Sequence, residues 1–146
     1  MIHVLQEDSE RRLKLVAAGT IKGRRFEVTE TKWKIAIPGM KGHFCGYIES
    51  PLAEKEHYEF EWLPSVHGGW TYGGAFPLEG KTKCFGFDTA HFGDEEADWT
   101  AKKVKAELER VLPALLLVEQ NYDAWKALLA RQEEQREHFK KRMLLE

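Results

Sequence analysis

The sequence predicts an α+β fold: an antiparallel sheet of about five strands packed against a long or proline-broken C-terminal helical segment. Three observations carry this. All twelve glycines lie at or before Gly93 and none follows. Up to that point, short runs alternate polar and apolar residues between turn-forming pairs, which is the period of a half-buried strand. From Trp99 the apolar residues recur at three- and four-residue spacing, which is the period of a helix. Residues 1–98 are therefore read as a β-rich, motif-bearing part, and residues 99–146 as the helical part of the same domain.

Taken in order, Arg11–Ala18 fits either a short helix or an edge strand. Arg25–Glu30 and Lys32–Ile37 both alternate, and Pro38-Gly39 closes the second run as a turn. His43–Glu49 is a third strand, ended by Ser50-Pro51. His57–Trp62 alternates cleanly, with Tyr58, Phe60 and Trp62 on one face. Two further strands, around Trp70–Phe76 and Thr82–Phe87, flank the turn Pro77-Leu78-Glu79-Gly80. In the helical part, Val104, Leu108, Val111, Leu112, Leu115 and Leu116 form an apolar face. Thr100 or Asp98 is the expected N-cap, and Pro113 is expected to kink or restart the helix. Leu115–Val118 is apolar nearly all round, which suggests deep burial or an oligomer seam. Beyond Asn121 the chain turns increasingly charged, as either a solvated helix face or an arm for a helical homodimer or a protein partner. Its basic residues are interleaved with Glu133, Glu134 and Glu137, which argues against a phosphate-binding arm.

Composition excludes several classes. A net charge of -2 gives no global electrostatic footprint for nucleic acid. Cys45 and Cys84 are too few and too far apart for a disulfide framework or a four-cysteine zinc site, and read as reduced thiols of a cytoplasmic protein. No apolar run approaches the length of a membrane span, about 18 residues. The N-terminus lacks the basic start and apolar stretch of a secretory signal.

The chemistry-bearing residues gather in two motifs. The first is His67-Gly68-Gly69-Trp70-Thr71-Tyr72, and the second Phe85-Gly86-Phe87-Asp88-Thr89-Ala90-His91-Phe92-Gly93-Asp94. A histidine beside two glycines can present its ring to a ligand while the glycine amides cradle an anion. Asp88, His91 and Asp94 are spaced i, i+3, i+6, so a carboxylate can orient the imidazole as a general base. Together His67, His91, Asp88 and Asp94 would suffice for a divalent metal such as zinc or manganese. Thr71, Tyr72 and Tyr47 are candidate ligand-binding neighbours. The plainer alternative is structural: His67 as a hydrogen-bonded loop histidine, Asp88 capping the turn after its strand, Asp94 capping the helix. Cys45 as a nucleophile would need an activating base, and His43, two residues away, is weak evidence for one.

These residues resemble a family of small bacteriophage and bacterial proteins. That family shows a Cys-Gly-Tyr element, an acidic alternating segment leading into His-Gly-Gly-x-Thr, then Gly-Phe-Asp-x-x-His-x-Gly-Asp and a C-terminal helix. Cys45-Gly46-Tyr47, His57–Trp62, both main motifs and Ala101–Leu112 occur here in that order, so the likeness spans roughly residues 43 to 120. Thr89 stands where the family often has cysteine, so no cysteine role carries over. The resemblance implies a phage-type accessory protein acting in the host cytoplasm, with counter-defence as the natural setting, and brings no reaction with it. Two function classes follow. In one, the His/Asp site binds and hydrolyses a phosphorylated or nucleotide-like ligand, with His67, His91 and Asp88 catalytic and Gly68-Gly69 cradling the anion. In the other, the protein is a non-catalytic inhibitor or ligand-sequestering protein that acts on a host defence component through its surface or helical arm.

Overall fold

A computed structural model describes residues 3–7, 11–33, 42–55, 60–77, 79–90 and 99–145. Its strands are β1 (His3–Glu7), β2 (Arg11–Ile21), β3 (Arg24–Trp33), β4 (His43–Glu49), β5 (Tyr72–Ala75) and β6 (Lys83–Asp88). They form one six-stranded antiparallel sheet in the order β1-β2-β3-β4-β6-β5. One helix, α1, runs from Ala101 to Leu145. The α+β architecture is the one the change of period predicts.

The N-terminal segment supplies two strands, β1 and β2, and β2 settles the Arg11–Ala18 ambiguity as a strand, though an interior one between β1 and β3 rather than an edge. It pairs with β3 through a two-residue loop, Lys22-Gly23, with φ of 50° and 81°. Two positive φ values are what a tight type I′ hairpin needs, and the resulting ladder outweighs any local helical preference. β3 extends the Arg25–Glu30 run as far as Trp33; residues 34–41 lie outside the described residues. The expected strand His57–Trp62 is corrected at its described end, where Phe60–Trp62 is a 3-10 turn. Leu63 N–H donates to the Phe60 carbonyl at 3.1 Å, so a local bond replaces the sheet ladder. The Phe60 ring still reaches the core, meeting Phe85 edge-on at 6.2 Å. Six alternating residues are too few to separate a strand from such a turn.

The core lies between one sheet face and the first half of α1. Val28, Ile48, Phe85 and Phe87 from the sheet are buried with Val104, Leu108, Leu112 and Leu115 from the helix. Gly46 is the point of closest approach. A Cβ there would lie 2.6 Å from Val104 Cγ1 and 2.9 Å from Phe87 Cε1. The other sheet face carries a smaller cluster of Tyr47, Phe76 and Cys84. The Tyr47 ring lies across Gly86, where a Cβ would come within 2.6 Å of it.

The helix is fixed at two places. Thr100 is the N-cap, its Oγ1 accepting from Lys103 N–H at 3.2 Å. Farther along, Arg24 donates to both oxygens of Glu119, at 2.9 and 2.5 Å, and to the Glu49 carbonyl at 3.2 Å. This fork ties α1 to β3 and β4. The helix runs continuously through Pro113, which faces solvent, so it does not restart there.

Gly46→Val should lower unfolding stability by about 1–3 kcal/mol through overpacking under the helix. Leu108→Ala should cost about 2–5 kcal/mol through a cavity. Urea denaturation midpoints check both, and unchanged midpoints would mean that α1 does not sit on this face.

Candidate functional site

The His-Gly-Gly motif is built as a turn. Gly69 N–H donates to the Val66 carbonyl at 2.9 Å, with Gly68 and Gly69 at φ of 67° and 85°. Side chains rarely tolerate that region, which accounts for both glycines. Trp70 closes the loop behind them, its Nε1 donating to the Pro64 carbonyl at 2.8 Å and its ring packing against Phe85 and Phe87.

The turn is pinned to α1 by Glu107, whose carboxylate accepts the His67 backbone N–H at 2.7 Å. Arg110 grips the same carboxylate at 2.6 and 2.8 Å and reaches the Ser65 carbonyl at 3.1 Å. These donors hold Glu107 below the usual carboxylate range, Arg110 most of all, with the His67 amide adding to it. The His67 ring lies 4.5 Å from that of Trp99, centroid to centroid. Glu107, Arg110 and Trp99 were not among the residues read from the motifs. The only signal for them was the i,i+3 spacing of Glu107 and Arg110. In chemical terms, the amides of His67 and Gly69 are already bonded, one of them to a carboxylate.

The second motif ends β6. Asp88 Oδ2 accepts from Thr71 Oγ1 at 3.1 Å, and Oδ1 accepts from Ala90 N–H at 3.0 Å, an Asx turn that stops the strand. Thr89 continues the pairing with β4: its N–H donates to the Phe44 carbonyl at 3.0 Å, and its Oγ1 accepts from Phe44 N–H at 3.1 Å. Tyr47 and Tyr72 meet edge-on at 5.4 Å over Gly86, and Tyr72 Oη donates to the Ala75 carbonyl. Burial raises the Tyr47 phenol well above its ordinary value. Burial also pushes the Cys45 thiol up to about 11, the Asp88 carboxylate adding to the effect, and Cys84 up to about 12. Both thiols are protonated at neutral pH, so neither is poised as a nucleophile.

The structure thus groups the sequence-derived residues in two places. Strand pleating sends Phe87 toward α1 and its neighbour Asp88 to the opposite face. Thr71, Tyr72, Tyr47 and Asp88 belong to that opposite face, whereas the His67-Gly68-Gly69 turn is tied to the helix. His91 and Asp94 lie outside the described residues. Among the described residues, no group of three or more His, Cys, Asp or Glu is placed to hold a metal ion.

A third feature lies on α1. Every residue from 123 to 145 is exposed, including Trp125, Leu128, Leu129, Phe139 and Met143. Where the helix leaves the sheet, Val118, Asn121, Tyr122 and Trp125 line a cavity of about 310 Å³. No described helix is long and apolar enough to cross a membrane. In comparisons with known proteins, the chain matches no family model, curated protein or solved structure.

Glu107→Gln should destabilise the protein at pH 7 by about 1.5–3 kcal/mol, the range for hydrogen bonds to a charged group. Because folding lowers the Glu107 pKa, its contribution is complete above the unfolded carboxylate range and is lost as pH falls through the folded value. The gap between wild type and variant should therefore narrow on acidification. Denaturant titrations at neutral and acidic pH check this, and a gap that widens in acid would contradict it.

Proposed function

We propose that this protein works without catalysis, as an interaction protein whose sheet body carries a helical arm for docking to a protein partner. The observation that carries this reading is the exposure of all side chains from 123 to 145, large apolar ones included. This half of α1 extends about 35 Å beyond the body. Phe139 and Met143 are each 63% exposed and Trp125 47%. Apolar surface of that extent on a helix is characteristic of a docking face. The geometry of the motifs supports the same reading: the His67 backbone amide and both Asp88 carboxylate oxygens are engaged in hydrogen bonds within the body. In the phage-type setting that the motifs imply, the arm would act by occupying the surface of a host defence component.

A second reading keeps the His/Asp site as a hydrolase of a phosphorylated or nucleotide-like ligand, with zinc or manganese held by His67, His91, Asp88 and Asp94. One observation favours it: Thr71, Tyr72 and Asp88 form a polar surface group beside Tyr47, of the kind that orients a ligand.

Leu129→Glu should preserve the near-ultraviolet circular dichroism of the body and a cooperative unfolding transition, since that side chain serves docking. Leu112→Ala, in the sheet-facing half, should cost about 2–5 kcal/mol. Loss of the folded body in Leu129→Glu would overturn the arm reading. Elemental analysis decides for the second reading if stoichiometric zinc or manganese is present and is lost in folded His67→Ala/His91→Ala.

A further inference from the structure

We infer that the arm's partner is a second copy of this chain, docked antiparallel so that the two arms cross between residues 130 and 131. The inference rests on the arm reading above and adds partner, direction and register to it.

The seam on α1 sets the possibilities. Val104, Leu108, Val111, Leu115, Val118 and Tyr122 alternate four- and three-residue steps and face the sheet or its margin. The same steps continue into the exposed half as Trp125, Leu129, Gln132, Arg136, Phe139 and Met143. A seam at this spacing is the packing surface of a two-stranded coiled coil. Its two polar members, Gln132 and Arg136, discriminate between arrangements. In a parallel, in-register pair, each Arg136 would face the other across the seam, a like-charge contact in a desolvated layer. In the antiparallel pair, Arg136 faces the second copy's Trp125, where a guanidinium over an indole is favourable. Gln132 then faces Leu129, while Phe139 and Met143 come to the margin of the second copy's body beside its Tyr122 and Val118, each contact occurring twice by two-fold symmetry.

Flanking charges select among the antiparallel registers. With the crossing between residues 130 and 131, Lys126 lies beside Glu133 of the second copy, again twice. Sliding one heptad in one direction sets Lys126 against Lys126. Sliding the other way sets Glu133 against Glu133, and Lys126 against Lys140. Only the central register pairs opposite charges. It also brings the second copy's Phe139 to the cavity lined by Val118, Asn121, Tyr122 and Trp125. The overlap of Val118 with Met143 at both ends gives a contact roughly 40 Å long.

Sedimentation equilibrium of the full chain should show a monomer–dimer equilibrium with Kd at or below about 10 μM. Lys126→Glu and Glu133→Lys should each weaken the dimer by about tenfold or more, and the double variant should return it to within about threefold of wild type. Circular dichroism confirms that each variant is folded. Spin labels at Ala130→Cys should lie close together across the dimer, whereas labels at Leu144→Cys should lie about 40 Å apart. A chain that stays monomeric to about 100 μM, a double variant without rescue, or close-set Leu144 labels would overturn the inference. A monomer in which Leu129→Glu leaves the body folded excludes the second copy alone and leaves the docking arm to a different protein. Unfolding of the body by Leu129→Glu removes both readings.

Discussion

Gly46 sets the distance between helix and sheet, and much of the remaining structure follows from that distance. With Val104 Cγ1 only 2.6 Å from where a Gly46 Cβ would stand, α1 descends far enough to bury Leu108, Leu112 and Leu115 against the face that carries Val28, Ile48 and Phe87. Because the helix sits that low, Glu107 on its flank can take the His67 amide and Arg110 can reach the Ser65 carbonyl. The His-Gly-Gly turn is thus shaped by the helix as much as by its own glycines. The same descent aligns Glu119 with Arg24, the last polar tie before the helix leaves the sheet.

The opposite sheet face obeys a different constraint. It has no helix over it among the described residues, yet Glu27 and Cys84 are fully buried there and Tyr47 nearly so. Glu27 keeps one oxygen bonded to Arg25 at 2.9 Å, while its buried Oε2 has no hydrogen-bond partner among the described residues. Burial raises its pKa, with the Arg25 bond opposing the rise. A half-satisfied buried carboxylate costs free energy that an apolar residue would not. The body tolerates it because Phe76, Tyr47 and Tyr72 close the face with aromatic area, packed over a glycine that leaves them room.

Much of this was legible in the chain. The glycine boundary and the change of period marked where sheet gives way to helix, and Thr100 was one of two N-caps the sequence offered. Those signals are local, and local physics settles them. The segment around Arg11 was not legible, because a strand and a short helix bury its apolar residues equally well until a neighbour supplies the ladder. Phe60–Trp62 misled for a related reason: alternation reports which side chains go inward, not which backbone bonds hold them. The motif residues were visible as a group, but their partners were not. Nothing in His67-Gly68-Gly69 reveals that its first amide is bonded to a carboxylate forty residues away. Long-range pairing of this kind depends on the approach of the helix, which a single glycine at position 46 announces only in retrospect.

The helix itself contains the strongest argument about use. Its seam keeps the same four-three stepping from Val104 to Met143, although only the part up to Tyr122 has a sheet to face. A straight helix drifts about 20° per heptad against such a repeat, so a stripe kept in phase over so many turns suits a helical partner better than a flat sheet. Helical peptides shorter than about 12–15 residues are marginal in water, and the exposed half is continuous with a body-anchored helix that spares it the nucleation cost. The anchor therefore explains how the arm can be helical without a partner. It does not explain why Trp125, Leu129, Phe139 and Met143 stand on the seam, since charged residues there would propagate the helix as well and keep it more soluble. In the docking reading proposed above, burial against a partner gives those four side chains a physical reason to be apolar.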